Sequence, residues 1–385
     1  MLTTDYIQIL KQQCVFRTGF RCRDVIIAFA TNSSVHVEWL KYYLANYQST
    51  SIEPAEFSVY AYQASEAFCN ICQWLDTLSP SHPVKMYLDR QGMAYYVNGY
   101  FILREEADRT VAVVMPDQDM ILIFSNPAIE TGYLDVTRVV REAMNKKLEE
   151  KGFFLFHCGG IALDGKAILF GGGKGAGKTT SLIGALSSCN KLELISNDRV
   201  YIGDNNLPST FRVIGFPTTI TVGAGTVRHF DRLRPYAFDP TLLRYPKKAL
   251  RFDQTFLELP DEEIWRVKSK LSLTTHELCQ IFDCKLAPDT PLAALVFPKF
   301  DIQAGSNVTI SSMSEQDVYT ALNQQCFTPI DKNWPDWLSL RQQDESSLAQ
   351  AARHLVDRIA SQIPGYRIRF KYGEVAFGSL IEVFR

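Results

Sequence analysis

The run Gly172–Thr179, GGKGAGKT, constrains this chain more than any other stretch. It fits G-x-x-x-x-G-K-[S/T], which a chain of this length meets by accident about once in a hundred. Small residues let the backbone curl until several N–H groups aim at one phosphate, and a following helix adds the positive end of its dipole. In such a loop Gly172, Gly173, Lys174, Gly175, Ala176, Gly177 and Thr180 line the phosphates. Lys178 reaches the β and γ positions, and the Thr179 hydroxyl ligates the magnesium that bridges them. The flanks agree: Lys166–Phe170 (KAILF) enters as a strand and Thr180–Leu186 (TSLIGAL) leaves as a helix. A dinucleotide fingerprint would need Ala176 as its last small residue, and it leaves Lys178-Thr179 without a purpose.

Asp164-Gly165, between two apolar runs, signals a two-residue hairpin turn. Leu163 then pairs with Lys166, and counting outward sets His157 opposite Gly172. An imidazole there stands beside the loop, on a strand antiparallel to the one that feeds it. Two roles stay open for His157: contact with phosphate or acid, or a half-buried ring bonded to backbone. After the helix, Lys191–Ser196 (KLELIS) reads as a strand ending in Asn197-Asp198-Arg199. A carboxylate at such a strand end can hold the metal or its waters, so Asp198 is the candidate metal ligand. Its strand is expected beside the loop strand.

The order His157, Asp-Gly hairpin, GGKGAGKT, helix, ISNDRVYI resembles the HPr kinase/phosphorylase superfamily, whose nucleotide site is shared with phosphoenolpyruvate carboxykinases. The resemblance covers roughly 152–225. It implies an α/β fold with a P-loop core of that type, and ATP with Mg2+ as cofactors. It also implies transfer of a phosphoryl group to a hydroxyl on a peptide serine or small molecule, with Lys178, His157 and Asp198 at the reacting phosphate. Two departures qualify it. The family carries adjacent aspartates after this strand, the first as general base and the second near the metal. Here the first is Asn197, an amide that takes no proton at neutral pH, so Asp198 would have to serve as catalytic base and metal ligand alone, or the chemistry is lost. The family's acidic residue before Arg-Gly is missing from Phe211–Phe216 (FRVIGF), which argues against HPr as the acceptor. A nucleotide-binding accessory protein that no longer transfers phosphate is therefore the alternative.

At 385 residues the chain suits an N-terminal mixed α/β domain over 1–150, a candidate for acceptor recognition or homo-oligomer formation, and a nucleotide-binding domain over 151–385. A net charge of −2 argues against nucleic acid or an anionic membrane as partner. No signal peptide or membrane-length apolar run is evident, and nine scattered cysteines read as reduced thiols, so a cytoplasmic protein is expected. Cys69 and Cys72, three apart in a helical pattern, read as packing and not as a metal pair.

In chain order, strands are expected at Asp24–Ala30 and Phe57–Tyr62, and helices at Val37–Tyr47 and Glu66–Leu78. An antiparallel meander follows (Val84–Leu88, Met93–Leu103, Thr110–Met115, Met120–Phe124), then an amphipathic helix over Leu134–Leu148. Beyond the loop, Phe216–Val227 reads as a strand and glycine turn. Arg228, His229, Arg232, Arg234, Arg244, Lys247, Lys248 and Arg251 form a basic stretch, either a solvated loop or a lid over the phosphate. Pro291–Phe300 reads as a buried strand whose Lys299 is a second phosphate candidate. Gln303–Ser339 reads as a surface excursion, Ser346–Ile363 as a helix and Tyr366–Tyr372 as an edge strand.

Overall fold

A computed structural model describes residues 2–52, 54–204, 210–244, 252–287, 289–301, 308–371, 381–382 and 384. The chain forms two compact units, Met1–Lys151 with Pro329–Glu345, and Gly152–Thr328 with Ser346–Arg385. Both are α/β, with mixed parallel and antiparallel sheets. Among the described residues no helix is long and apolar enough to cross a membrane.

The first unit holds strands β1 (Phe16–Cys22), β2 (Val25–Thr31), β3 (Gln48–Ser49), β4 (Phe57–Gln63), β5 (His82–Lys85), β6 (Gln91–Val97), β7 (Tyr100–Glu105), β8 (Thr110–Met115) and β9 (Met120–Ser125). They form one sheet in the order β3-β1-β2-β4-β9-β8-β7-β6-β5. The pairs β2–β4 and β4–β9 are parallel; β5 to β9 run as the antiparallel meander. Its helices are α1 (Thr4–Gln13), α2 (Ser34–Tyr43), α3 (Ser65–Asp76) and α4 (Gly132–Glu150). Helices α1 and α3 bury Ile7, Leu10, Phe68 and Ile71 with Val111, Val113 and Leu122 of the sheet, while α4 packs on β2, β4 and β9. The apolar run Met93–Leu103 is two strands, broken at Asn98-Gly99, where φ is 51° and 81°. That Asn-Gly is itself a hairpin signal.

Residues 329–345 belong to this first unit and not to a surface excursion. Trp334 stacks on the buried Tyr87 at 5.2 Å, and Trp337 meets the same ring edge-on at 5.0 Å. Burying two indoles removes enough apolar surface from water to outweigh the prolines and polar residues around them.

The second unit holds β10 (Phe154–Phe156), β11 (Cys158–Leu163), β12 (Lys166–Gly171), β13 (Glu193–Ser196), β14 (Val200–Asp204), β15 (Phe211–Gly215), β16 (Ile220–Gly223), β17 (Lys270–Leu273), β18 (Thr290–Phe300), β19 (Thr309–Ser312) and β20 (Gly365–Phe370). Its helices are α5 (Lys178–Ser188), α6 (Ala224–His229), α7 (Arg234–Phe238), α8 (Asp261–Ile264), α9 (Thr275–Phe282), α10 (Glu315–Asn323) and α11 (Glu345–Gln362). The main sheet runs β10-β14-β15-β18-β12-β11-β13. Strand β12 alternates between two cores: Ile168 and Phe170 pack with Leu182 and Ile183 of α5, Ala167 and Leu169 with Leu348 and Leu355 of α11. A strand buried on both faces reads as a continuous apolar run, as KAILF does.

The ends of this sheet are linked along the chain. Strand β10 passes into β11 through His157, and β13 passes into β14 through Asn197, Asp198 and Arg199. Two bent strands, antiparallel along both halves, thus bring those residues to a shared corner.

Three expectations change here. Strand β20 is no edge: it pairs with β18 on one side and β19 on the other, which satisfies its backbone on both flanks, and Tyr372 lies outside the described residues. The Gly223–Gly225 segment starts helix α6 and makes no turn. Strand β13 lies beyond β11, so Asp198 reaches the loop from across the hairpin.

Candidate functional site

The Asp164-Gly165 turn has φ of 47° and 74°, the left-handed pair that a tight hairpin requires. Strands β11 and β12 pair from Leu163–Lys166 to Cys158–Gly171, which carries His157 to the mouth of the loop. The loop spans 172–177 and delivers the chain into α5 at Lys178. At a helix start the first N–H groups have no partner within the helix, so those of Lys178, Thr179 and Thr180 face outward.

Gly177 caps α5 at φ 100°, and a Cβ there would stand 2.5 Å from Cζ of Phe370. The N–H of Phe300 at the end of β18 donates to the Ala176 carbonyl at 3.0 Å. The loop is therefore fixed from beside as well as from below. The Lys178 ammonium donates to the carbonyls of Gly172 and, at 3.3 Å, Gly173. An ammonium has three donors, so one remains for an anion. Burial lowers the Lys178 pKa, and the Asp198 charge partly restores it. Lys174 is exposed on the loop, Thr179 is half-buried, and the Thr180 hydroxyl lies 2.8 Å from that of Thr226 on α6.

Across the corner, Nε2 of His157 is 3.2 Å from Oδ1 of Asp198, and Nε of Arg199 is 3.6 Å from Oδ2. Burial pushes the Asp198 carboxyl up, but the hydrogen bond from His157 and the charges of His157, Arg199 and Lys178 hold it below its ordinary value. Phe327 is the residue that the sequence did not offer. It stacks on His157 at 5.2 Å and 16°, with the Arg199 guanidinium 5.3 Å from its ring. Its N–H donates to Leu155 O at 2.7 Å, and Gln325 O accepts from the His157 N–H at 2.8 Å. No motif marks it, because a partner 170 positions away leaves no local trace. Asn197 is 4% exposed, and its carbonyl oxygen meets no donor among the described residues. Its main-chain oxygen would lie 2.7 Å from a Cβ on Gly159, so the corner closes only over a glycine.

No protein-family model matches the chain, and no curated protein matches it.

The corner brings the Asp198 carboxylate close enough to the Lys178 ammonium for their charges to interact, and Thr179 follows Lys178 in the first turn of α5. No cluster of three or more metal-ligating His, Cys, Asp or Glu occurs among the described residues. Magnesium on a triphosphate does not require one, since it keeps waters and phosphate oxygens and takes one or two carboxylates. Asp198, held ionised, and Thr179 fit that demand.

The basic stretch is partly occupied. Arg228 donates to Leu259 O and to Asp261, and Arg234 to Arg228 O, so these two brace the segment. Lys247, Lys248 and Arg251 lie outside the described residues. Arg212 pairs with Asp289 at 2.8 Å on the sheet. Lys299 is exposed one residue before the Phe300 tie, within the loop's surroundings.

Proposed function

We propose that this protein is a magnesium-dependent kinase of the HPr kinase and carboxykinase type. It transfers the γ-phosphoryl group of ATP to a hydroxyl of a peptide serine or small molecule. The observation that carries the reading is the Asp198 carboxylate, hydrogen-bonded by His157 and close enough to Lys178 to feel its charge. Loop amides and Lys178 bind the phosphates. Asp198 accepts the proton of the acceptor hydroxyl as its oxygen bonds to phosphorus and the bridge to the β-phosphate breaks, releasing ADP. His157 holds the carboxylate in place. Thr179 and Asp198 would hold the magnesium, which would supply charge neutralisation to the phosphates.

The test is transfer from γ-labelled ATP to hydroxyl acceptors. Lys178→Ala is expected to abolish transfer, and Asp198→Asn to reduce it roughly 10²–10⁴-fold. Unchanged turnover in both variants overturns the proposal. The amide at Asn197 favours a second reading, a nucleotide-binding accessory protein without transfer. Tight ATP binding with neither transfer nor hydrolysis would select it.

A further inference from the structure

The loop strand β12 has β11 on one side and β18 on the other. The groups suited to the reacting phosphate, His157 and Asp198, stand on the β11 side. The β18 side ends in aromatic residues that the phosphate chemistry does not use. Phe300 is tied to the loop through Ala176 and meets Phe370 at 5.8 Å, and Phe370 is the ring against Gly177. Against Phe300, edge to face at 4.4 Å and 70°, stands Trp265.

Trp265 is the most exposed of the five tryptophans, at 39%. It is also held in position. It follows α8, whose Ile264 is fully buried, and Arg228 donates to Leu259 O and to Asp261 at the start of that helix. A large ring kept partly in water on a braced segment, one ring removed from the loop, is an unusual use of an indole. With Asp198 on the β11 side of the loop strand, the β18 side is the flank left for a nucleoside.

We propose that Trp265 is the stacking platform for the nucleobase. The inference rests on the nucleotide reading above and adds the base subsite to it. Stacking uses a π face that every base has, so the platform supplies affinity more than base choice.

Calorimetry with magnesium–ATP and with magnesium–tripolyphosphate tests this on the full chain. Tripolyphosphate carries the phosphate contacts and lacks the base. Trp265→Ala is expected to weaken ATP about tenfold and to leave tripolyphosphate unchanged, while Trp265→Phe keeps most of the ATP affinity. Unaltered ATP affinity in Trp265→Ala overturns the platform and leaves the phosphate site standing. Equal losses for both ligands also overturn it, because the residue would then act on the loop and not on the base. If neither ligand binds the unaltered protein, the nucleotide reading falls, and the platform with it.

Discussion

His157 donates to Asp198 across 3.2 Å at the corner where β10 bends into β11 and β13 into β14. An ionised carboxylate only accepts, so the proton of this contact sits on Nε2. The bond helps to hold Asp198 below the ordinary aspartate value of 3.8. A depressed native pKa adds stability that is present above the unfolded value and is lost as the pH falls below it. Removing the donor in His157→Ala should raise the Asp198 pKa. The acid limb of the kcat/KM profile should move to higher pH, and acid unfolding should begin earlier. Superimposable acid limbs would show that the pair carries no such coupling.

Gly177 adopts a backbone that costs other residues about 1–2 kcal/mol, and its missing Cβ leaves room for the Phe370 ring. Gly177→Ala should lower the thermal midpoint and weaken magnesium–ATP at least tenfold, because the loop amides lose their common aim. In the double variant with Phe370→Ala, the steric part should be relieved and the backbone part should remain. Thermal melts and calorimetry separate the two. Full ATP affinity in the single variant would contradict the role given to this cap.

Local chemistry made much of the site legible in the sequence. The Asp-Gly turn fixed the register that brings His157 to Gly172, and an apolar strand, small residues and a helix announced the loop. Asn98-Gly99 held the same turn signal inside a run too apolar to look broken. What could not be read depends on distance along the chain. Phe327 reaches His157 only because β10 pairs next to it, and Trp334 and Trp337 are buried only because Tyr87 offers a face. Strand β20 looked like an edge because Arg367 and Arg369 are polar, yet strands on both flanks complete its backbone bonding.

The amide at Asn197 suggests that an aspartate there would supply a stronger base. The geometry argues otherwise. The side chain is 4% exposed and its oxygen finds no donor among the described residues, so a carboxylate in its place would be buried beside the like charge of Asp198 with no hydrogen-bond donor of its own. Such a group takes up a proton and ceases to be a base. Asn197→Asp should leave transfer no faster and cost about 1–3 kcal/mol of stability at neutral pH. Urea unfolding and the labelled-ATP assay check both halves, and a clear gain in turnover would refute the argument.

Glu142 on α4 gives the first unit a pH dependence of its own. It is fully buried, and Nε1 of Trp334 donates to its Oε2. Burial pushes its pKa up to about 7, with Asp336 and Glu149 adding to the rise while Lys146, 3.6 Å away, and the Trp334 bond oppose it. The native form therefore keeps a proton that the unfolded chain releases near about 4.3. Stability falls as the pH rises from there to about 7, by roughly 4 kcal/mol at 1.4 kcal/mol per unit. Glu142→Gln leaves a neutral carbonyl that still accepts from Trp334, so the variant should lose this decline. Urea midpoints followed by tryptophan fluorescence at pH 5 and pH 8 should drop in the unaltered protein and hold nearly level in the variant. Parallel declines would place the titrating group elsewhere, because no other change distinguishes the two chains.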